Sequence, residues 1–219
     1  MRPTFIAGLI ATGLLAGSTI SPAQAQPLTT SAAALTRQAV TLMKTKRADI
    51  DGDGRKDTVR LYKLSASKWR VTVDTAKGKH ASKRFTSTIA RDWGLKSPWV
   101  GPNRMDGRPG AELPFMIQGG DGVVFRVLTW RKGRLINEPR LAGAAWYVGG
   151  PLPEFQSYRF YTSASVRYAE VAWLTPNGSD YKTCSADVKR YAWKSSKWVF
   201  VRHYTVAAAT GVCQRYPGL

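Results

Sequence analysis

Four carboxylates within nine residues, Asp49-Ile50-Asp51-Gly52-Asp53-Gly54-Arg55-Lys56-Asp57, constrain this chain more than any other stretch. Carboxylates at positions 1, 3, 5 and 9 of a tight loop converge, and they repel one another unless a cation neutralises them. Gly54, at position 6, permits the sharp turn that brings the position 7 carbonyl, that of Arg55, towards the same point. A hard cation with six to eight oxygen ligands suits such a loop, and the smaller octahedron of magnesium suits it less. The expected ligands are Asp49, Asp51, Asp53, Asp57 and the Arg55 carbonyl, with Ca2+ in a structural role. The bland alternative is a solvated acidic turn without an ion. Against it, the chain holds only 14 acidic residues beside 33 Lys and Arg, and clusters four of them here.

The loop is half of an EF-hand pattern. Position 12, which should be glutamate, is Arg60, and a β-prone run, Thr58–Leu64, follows instead of a helix. Asp57 must then close the loop. Asp49-x-Asp51-Gly-Asp53-Gly-x-x-Asp57 followed by a strand resembles the calcium loop of FG-GAP/VCBS repeats, found in integrin-like propellers and many secreted bacterial proteins. The resemblance covers the loop and its strand, and it implies the same ligand set and a protein-interaction role. A degenerate copy is read at Arg104-Met105-Asp106-Gly107-Arg108-Pro109-Gly110-Ala111-Glu112-Leu113, where aligning Asp106-Gly107 on Asp51-Gly52 places Glu112 on Asp57. Arg104 and Arg108 then stand at positions 1 and 5, so a guanidinium is expected to replace the cation and bridge Asp106 and Glu112. No third copy is visible, and a closed propeller needs at least four blades.

Residues 1–25 read as a secretory signal peptide. Arg2 is a minimal positive start, Phe5 to Leu15 an apolar stretch, and Ala23-Gln24-Ala25 the cleavage pattern. The apolar run is short of the about 20 residues a membrane span needs, and no second one follows. Ser18 replaces the cysteine that lipidation would require. A secreted, extracytoplasmic product is expected, and removing residues 1–25 lowers the net charge from +19 to +18. Such a basic surface favours polyanions by its field and by counterion release. A general basic bias of the source proteome stays open as the other reading. In an exported chain the two cysteines, Cys184 and Cys213, suggest one disulfide closing about 30 residues, roughly 3–4 kcal/mol in the chain-entropy model.

The rest reads as mainly β. Antiparallel hairpins are expected at Thr58–Leu64 with Lys68–Asp74, Val123–Trp130 with Arg134–Asn137, Tyr158–Thr162 with Val166–Leu174, and Lys189–Trp193 with Trp198–Val206. Three tryptophan-bearing hairpins, at 62–69, 129–135 and 192–198, share a layout that hints at internal duplication. The expected fold is propeller-like or a sandwich, one domain over 47–219, preceded by a leader at 26–46 with a short helix after the signal peptide, over 31–45. The eight tryptophans read as core, with a sugar-stacking platform as the other option.

No nucleophile, zinc-protease or phosphate-loop motif appears, and His80 and His203 are the only imidazoles. Asp106, Glu112, Asp121, Glu154 and Glu170 could supply a carboxylate pair for glycoside hydrolysis, but their spacing singles out no two. The reading is a non-catalytic binding or scaffolding module for an anionic cell-envelope polymer or an extracellular protein. A glycan-binding or glycan-hydrolysing protein is the alternative.

Overall fold

A computed structural model describes residues 40–141, 145–178 and 181–219. The expected signal peptide and residues 31–39 of the expected helix lie outside them. The β2 strand (Asp57–Lys63) shows how the chain builds its sheets: Val59 and Leu61 point into the core while Thr58, Arg60 and Tyr62 alternate outward. The chain turns through Ser65-Ala66-Ser67 into β3 (Lys68–Asp74), where Trp69, Val71 and Val73 are buried, and then into β4 (His80–Thr86). The β1 strand (Thr41–Ala48) completes a four-stranded sheet in the order β1-β2-β3-β4.

That first strand corrects the sequence reading, because residues 41–45 were expected to be helical. They pair antiparallel with β2, from Thr41 opposite Lys63 to Ala48 opposite Asp57, with a bulge between Leu42 and Lys44. The open edge of β2 offers a row of backbone partners, and Met43 and Ala48 pack on the core beneath. Tertiary pairing here overrides a weak local preference.

The second sheet has eight strands. After a single helical turn α1 (Ile89–Asp92) come β5 (Leu113–Gly119), β6 (Gly122–Arg131), β7 (Arg134–Asn137) and β8 (Trp146–Gly149). Four further strands follow: β9 (Phe155–Ser163), β10 (Val166–Pro176), β11 (Thr183–Lys194) and β12 (Lys197–Thr210). Their order is β12-β11-β10-β9-β8-β6-β5, with β7 on β6, and every pairing is antiparallel. All four expected hairpins form, while β4, β5 and β8 were not anticipated. The β4 strand turns only Ala81 and Phe85 inward, and β5 carries Pro114, which is tolerated because β5 is an edge strand.

The two sheets share one core. Val59, Leu61, Trp69, Val71 and Phe85 of the first meet Trp99, Leu113, Phe115, Leu128, Trp130 and Leu135 of the second segment. A second cluster gathers Met105, Trp146, Tyr158, Tyr191 and Trp198. Five tryptophans (Trp69, Trp99, Trp130, Trp146 and Trp198) are buried, whereas Trp93 and Trp173 are exposed. Cys184 and Cys213 stand at disulfide distance, 5.3 Å between Cα atoms. They fasten the C-terminal segment over the outer sheet, where Val212 and Tyr216 bury against Leu174 and Val188. No closed propeller forms among the described residues, and none of their helices is long and apolar enough to cross a membrane.

Candidate metal centre

The first acidic loop connects β1 to β2. Its closing residue, Asp57, is buried at the first position of β2, and its carboxylate is fully engaged by the backbone. Oδ2 accepts the N–H groups of Ile50 (2.7 Å) and Asp51 (3.2 Å), and Oδ1 accepts that of Ala76 (2.8 Å). Asp49 accepts from Gly52 (2.8 Å) and Gly54 (3.0 Å), folding the loop around its first residue. Oxygen atoms of Asp49, Asp51 and Asp57 lie within 4.8 Å of one another, an arrangement that could hold a metal ion. Burial, then the neighbouring Asp57, raises the Asp51 carboxyl above its usual range, as crowding without a cation requires.

Asp53 does not join that trio. Its Oδ1 accepts from the Arg55 N–H (2.8 Å), a bond that holds this carboxyl below the usual range. Its Oδ2 accepts no hydrogen bond and faces the Lys77 ammonium at 3.3 Å. Three of the four expected carboxylates therefore converge, and the fourth leans towards a lysine on the turn after β3. The side chain of Arg55 is exposed.

The proposed duplicate repeats this skeleton. Glu112 Oε2 accepts from Met105 (2.8 Å) and Asp106 (3.4 Å), matching Asp57 with Ile50 and Asp51. Asp106 Oδ1 accepts from Arg108 (2.7 Å), matching Asp51 with Asp53. A guanidinium does bridge the carboxylates, but it belongs to Arg131 at the end of β6. It hydrogen-bonds Asp106 and lies 3.7 Å from Glu138 and 4.0 Å from Glu112. Arg104 and Arg108, expected in this role, are exposed, and Arg108 reaches Ser196 instead. Both are exposed to water, which solvates a guanidinium better than a buried site would.

Glu138 was not anticipated at all. With Asp106 and Glu112 it forms a second group whose ligand atoms lie within 4.8 Å, and all three residues are buried. Desolvation pushes Glu112 up to about 7 and Glu138 up to about 9, with the Asp106 charge adding to both. No sequence signal marks Glu138, because the β5–β6–β7 meander alone delivers it. The tryptophan hairpins that suggested duplication occupy unlike positions: the β2–β3 turn is the first after its loop, and the β6–β7 turn the second. The repeated feature is the loop.

The two loops pack directly together. Ala111 N–H donates to the Asp49 carbonyl (2.9 Å). A Cβ on Gly52 would lie 2.6 Å from the Pro109 backbone, and one on Gly110 would lie 2.5 Å from the Ile50 carbonyl oxygen. Both glycines have positive φ, +81° and +104°, so a side chain is doubly excluded. His80 pairs with Asp74 (2.6 Å) and His203 with Asp187, each imidazole more than half exposed. Among the acids considered for glycoside hydrolysis, Asp106, Glu112 and Glu170 are buried and Asp121 and Glu154 exposed. No family model, curated protein or solved structure matches this chain.

Proposed function

We propose that this chain is an exported, calcium-stabilised β module of the FG-GAP/VCBS kind whose task is to bind an anionic polymer of the cell envelope. The convergence of the Asp49, Asp51 and Asp57 oxygens carries the calcium part, since no cation pairs with these three among the described residues. Asp53, with its unbonded Oδ2, and the Arg55 carbonyl complete a set of hard oxygen donors. Bound there, the ion neutralises the carboxylates and ties the loop to β2 and, through the Ala111–Asp49 bond, to its neighbour. The disulfide-distance cysteines support an oxidising compartment. The net charge of +19 for the full chain supports the polyanion.

Melting in calcium against chelator tests the ion. Calcium should raise the melting temperature, by mass action equivalent to about 2.7 kcal/mol at a hundredfold excess over Kd. Asp51→Asn should lose that rise while melting in chelator as the parent does or slightly higher, because it relieves like-charge crowding. Unchanged melting together with no calorimetric binding would sink the calcium reading.

A cavity of about 420 Å³ favours the glycan-binding alternative. Trp146, Tyr158, Trp173 and Tyr191 wall it, with Gln156, Asp187 and Lys189 at hand for hydroxyl groups. That alternative predicts salt-insensitive retention on neutral polysaccharide, whereas the polyanion reading predicts retention on isolated cell walls that salt reverses.

A further inference from the structure

One row of residues crosses the last four strands. The register places Arg159 opposite Glu170, Glu170 opposite Arg190, and Arg190 opposite Arg202, so a single line runs across β9, β10, β11 and β12. At about 4.8 Å per strand, Arg159 and Arg202 stand about 14 Å apart. Tyrosines flank the line. The Arg159 guanidinium lies 4.7 Å over the Tyr161 ring, and that of Arg202 lies 4.7 Å over Tyr204. Arg190 sits among Tyr161, Tyr168 and Tyr204 at 5.2–5.8 Å.

Glu170 works from beneath. It is 1% exposed, and its Oε1 accepts from Tyr161 Oη (2.9 Å), Arg190 Nε (2.9 Å) and Tyr204 Oη (2.7 Å). This buried hub fixes the central arginine and both flanking rings. Arg159 and Arg202 meet no carboxylate among the described residues, so each keeps its donors unspent. A guanidinium stacked on a ring still presents its N–H fork in plane, already oriented for a two-oxygen anion. Lys194 and Lys197, opposite one another at the hairpin end of the same two strands and exposed, extend the positive face. Farther along the other way the disulfide-held C-terminal segment covers the sheet, with Ser157 Oγ donating to the Tyr216 carbonyl (2.8 Å), so the row lies beside that cover.

The geometry points to this row as the binding surface for a linear polymer bearing carboxylates or phosphates along a sugar or polyol chain, lying across the strands with successive oxyanions on Arg159 and Arg202. This inference rests on the polyanion reading and gives it an address. It favours such a chain over single-stranded nucleic acid, which needs open aromatic faces for its bases. Here Tyr161 is covered by Arg159 and stacked on Tyr168 (5.4 Å, 23°), and Tyr204 lies under Arg202.

The test is retention of the full exported chain on immobilised polygalacturonate, poly(glycerol phosphate), dextran and single-stranded DNA. Arg159→Gln with Arg202→Gln should weaken binding to one of the two anionic polymers by about tenfold or more, as expected for two charge-assisted contacts. Lys68→Gln with Arg84→Gln, two exposed cations on the other sheet, removes the same charge and should cost less than about threefold. Arg159→Lys with Arg202→Lys keeps the charge and should still bind several-fold more weakly, because the fork is gone. Equal losses in both glutamine pairs would overturn the row while leaving the polyanion reading. Full binding by the lysine pair would overturn the fork. Tightest retention on DNA would overturn the choice of polymer. Absence of parent binding to every anionic support would overturn the proposed function itself.

Discussion

The two acidic loops share one backbone skeleton and differ in where their positive charge comes from. In each, the closing carboxylate accepts two consecutive N–H groups, Ile50 and Asp51 on Asp57, Met105 and Asp106 on Glu112. In each, a basic residue near the turn ending the second strand after the loop approaches the acids, Lys77 in the first and Arg131 in the second. The difference is burial. The Lys77 side chain is 58% exposed and touches one aspartate, while Arg131 is 16% exposed and faces three buried acids. The shape of such a loop therefore does not require an ion. The second loop has built a cation, Arg131, in among its buried acids.

Removing that built-in cation is the strongest way to break the comparison. Arg131→Ala strips the counter-charge from buried Asp106, and from Glu112 and Glu138 as each ionises above about 7 and about 9, and leaves buried charge uncompensated, a loss on the order of 3–5 kcal/mol. Denaturant unfolding in chelator reads it directly. The same variant should show a second calcium site by titration, since the three acids then resemble the first loop. Replacing Arg104 and Arg108, the residues at the aligned positions, should do neither. A loss under about 1 kcal/mol for Arg131→Ala would mean that the three acids carry protons and need no cation.

This pair of loops also marks what the sequence could disclose. Asp49–Asp57 was legible because the bonds that shape the loop, from Ile50, Asp51, Gly52 and Gly54 to Asp57 and Asp49, are local, and the offset to Asp106 and Glu112 was legible for the same reason. Arg131 and Glu138 were not, since three strands must pair before they arrive. The hairpins were readable from their turns and alternation, as in β2, whereas the polar β4 and the proline-bearing β5 gave no such alternation. The stretch 41–45 misled because a lone strand's fate depends on the edge it meets. The Arg159–Glu170–Arg190–Arg202 row exists only in the register of four strands.

The loops also separate by pH. Glu112 is raised to about 7 and Glu138 to about 9 by burial, so the folded chain holds protons there that the unfolded chain releases near 4.5. The associated stability is present in full below about 4.5 and is lost as pH rises through about 7 and then about 9. The slope is about 1.4 kcal/mol per pH unit for each proton in that window. Glu138→Gln should abolish the alkaline part of the decline, because an amide has no proton to lose. Urea melts in chelator between pH 5 and 10 measure it. An equal decline in parent and variant would place the titrating group elsewhere.

The smallest effect falls on the first loop, and it asks whether Lys77 is a loose version of Arg131. The ammonium faces Asp53 Oδ2 at 3.3 Å from an exposed turn, where screening leaves little net attraction. Lys77→Ala should therefore leave the chelator melt almost unchanged. Asp53 would then be free of its nearest competitor for an incoming cation, and calcium affinity should improve by a few-fold, less than about tenfold. Calorimetric titration at low salt gives the largest difference, and raising the ionic strength should shrink it. If Lys77→Ala instead weakened calcium binding, or destabilised the chelated chain as Arg131→Ala does, Lys77 would be a structural cation. The two loops would then differ in degree of burial alone, and the case for an ion in the first would lose its main support.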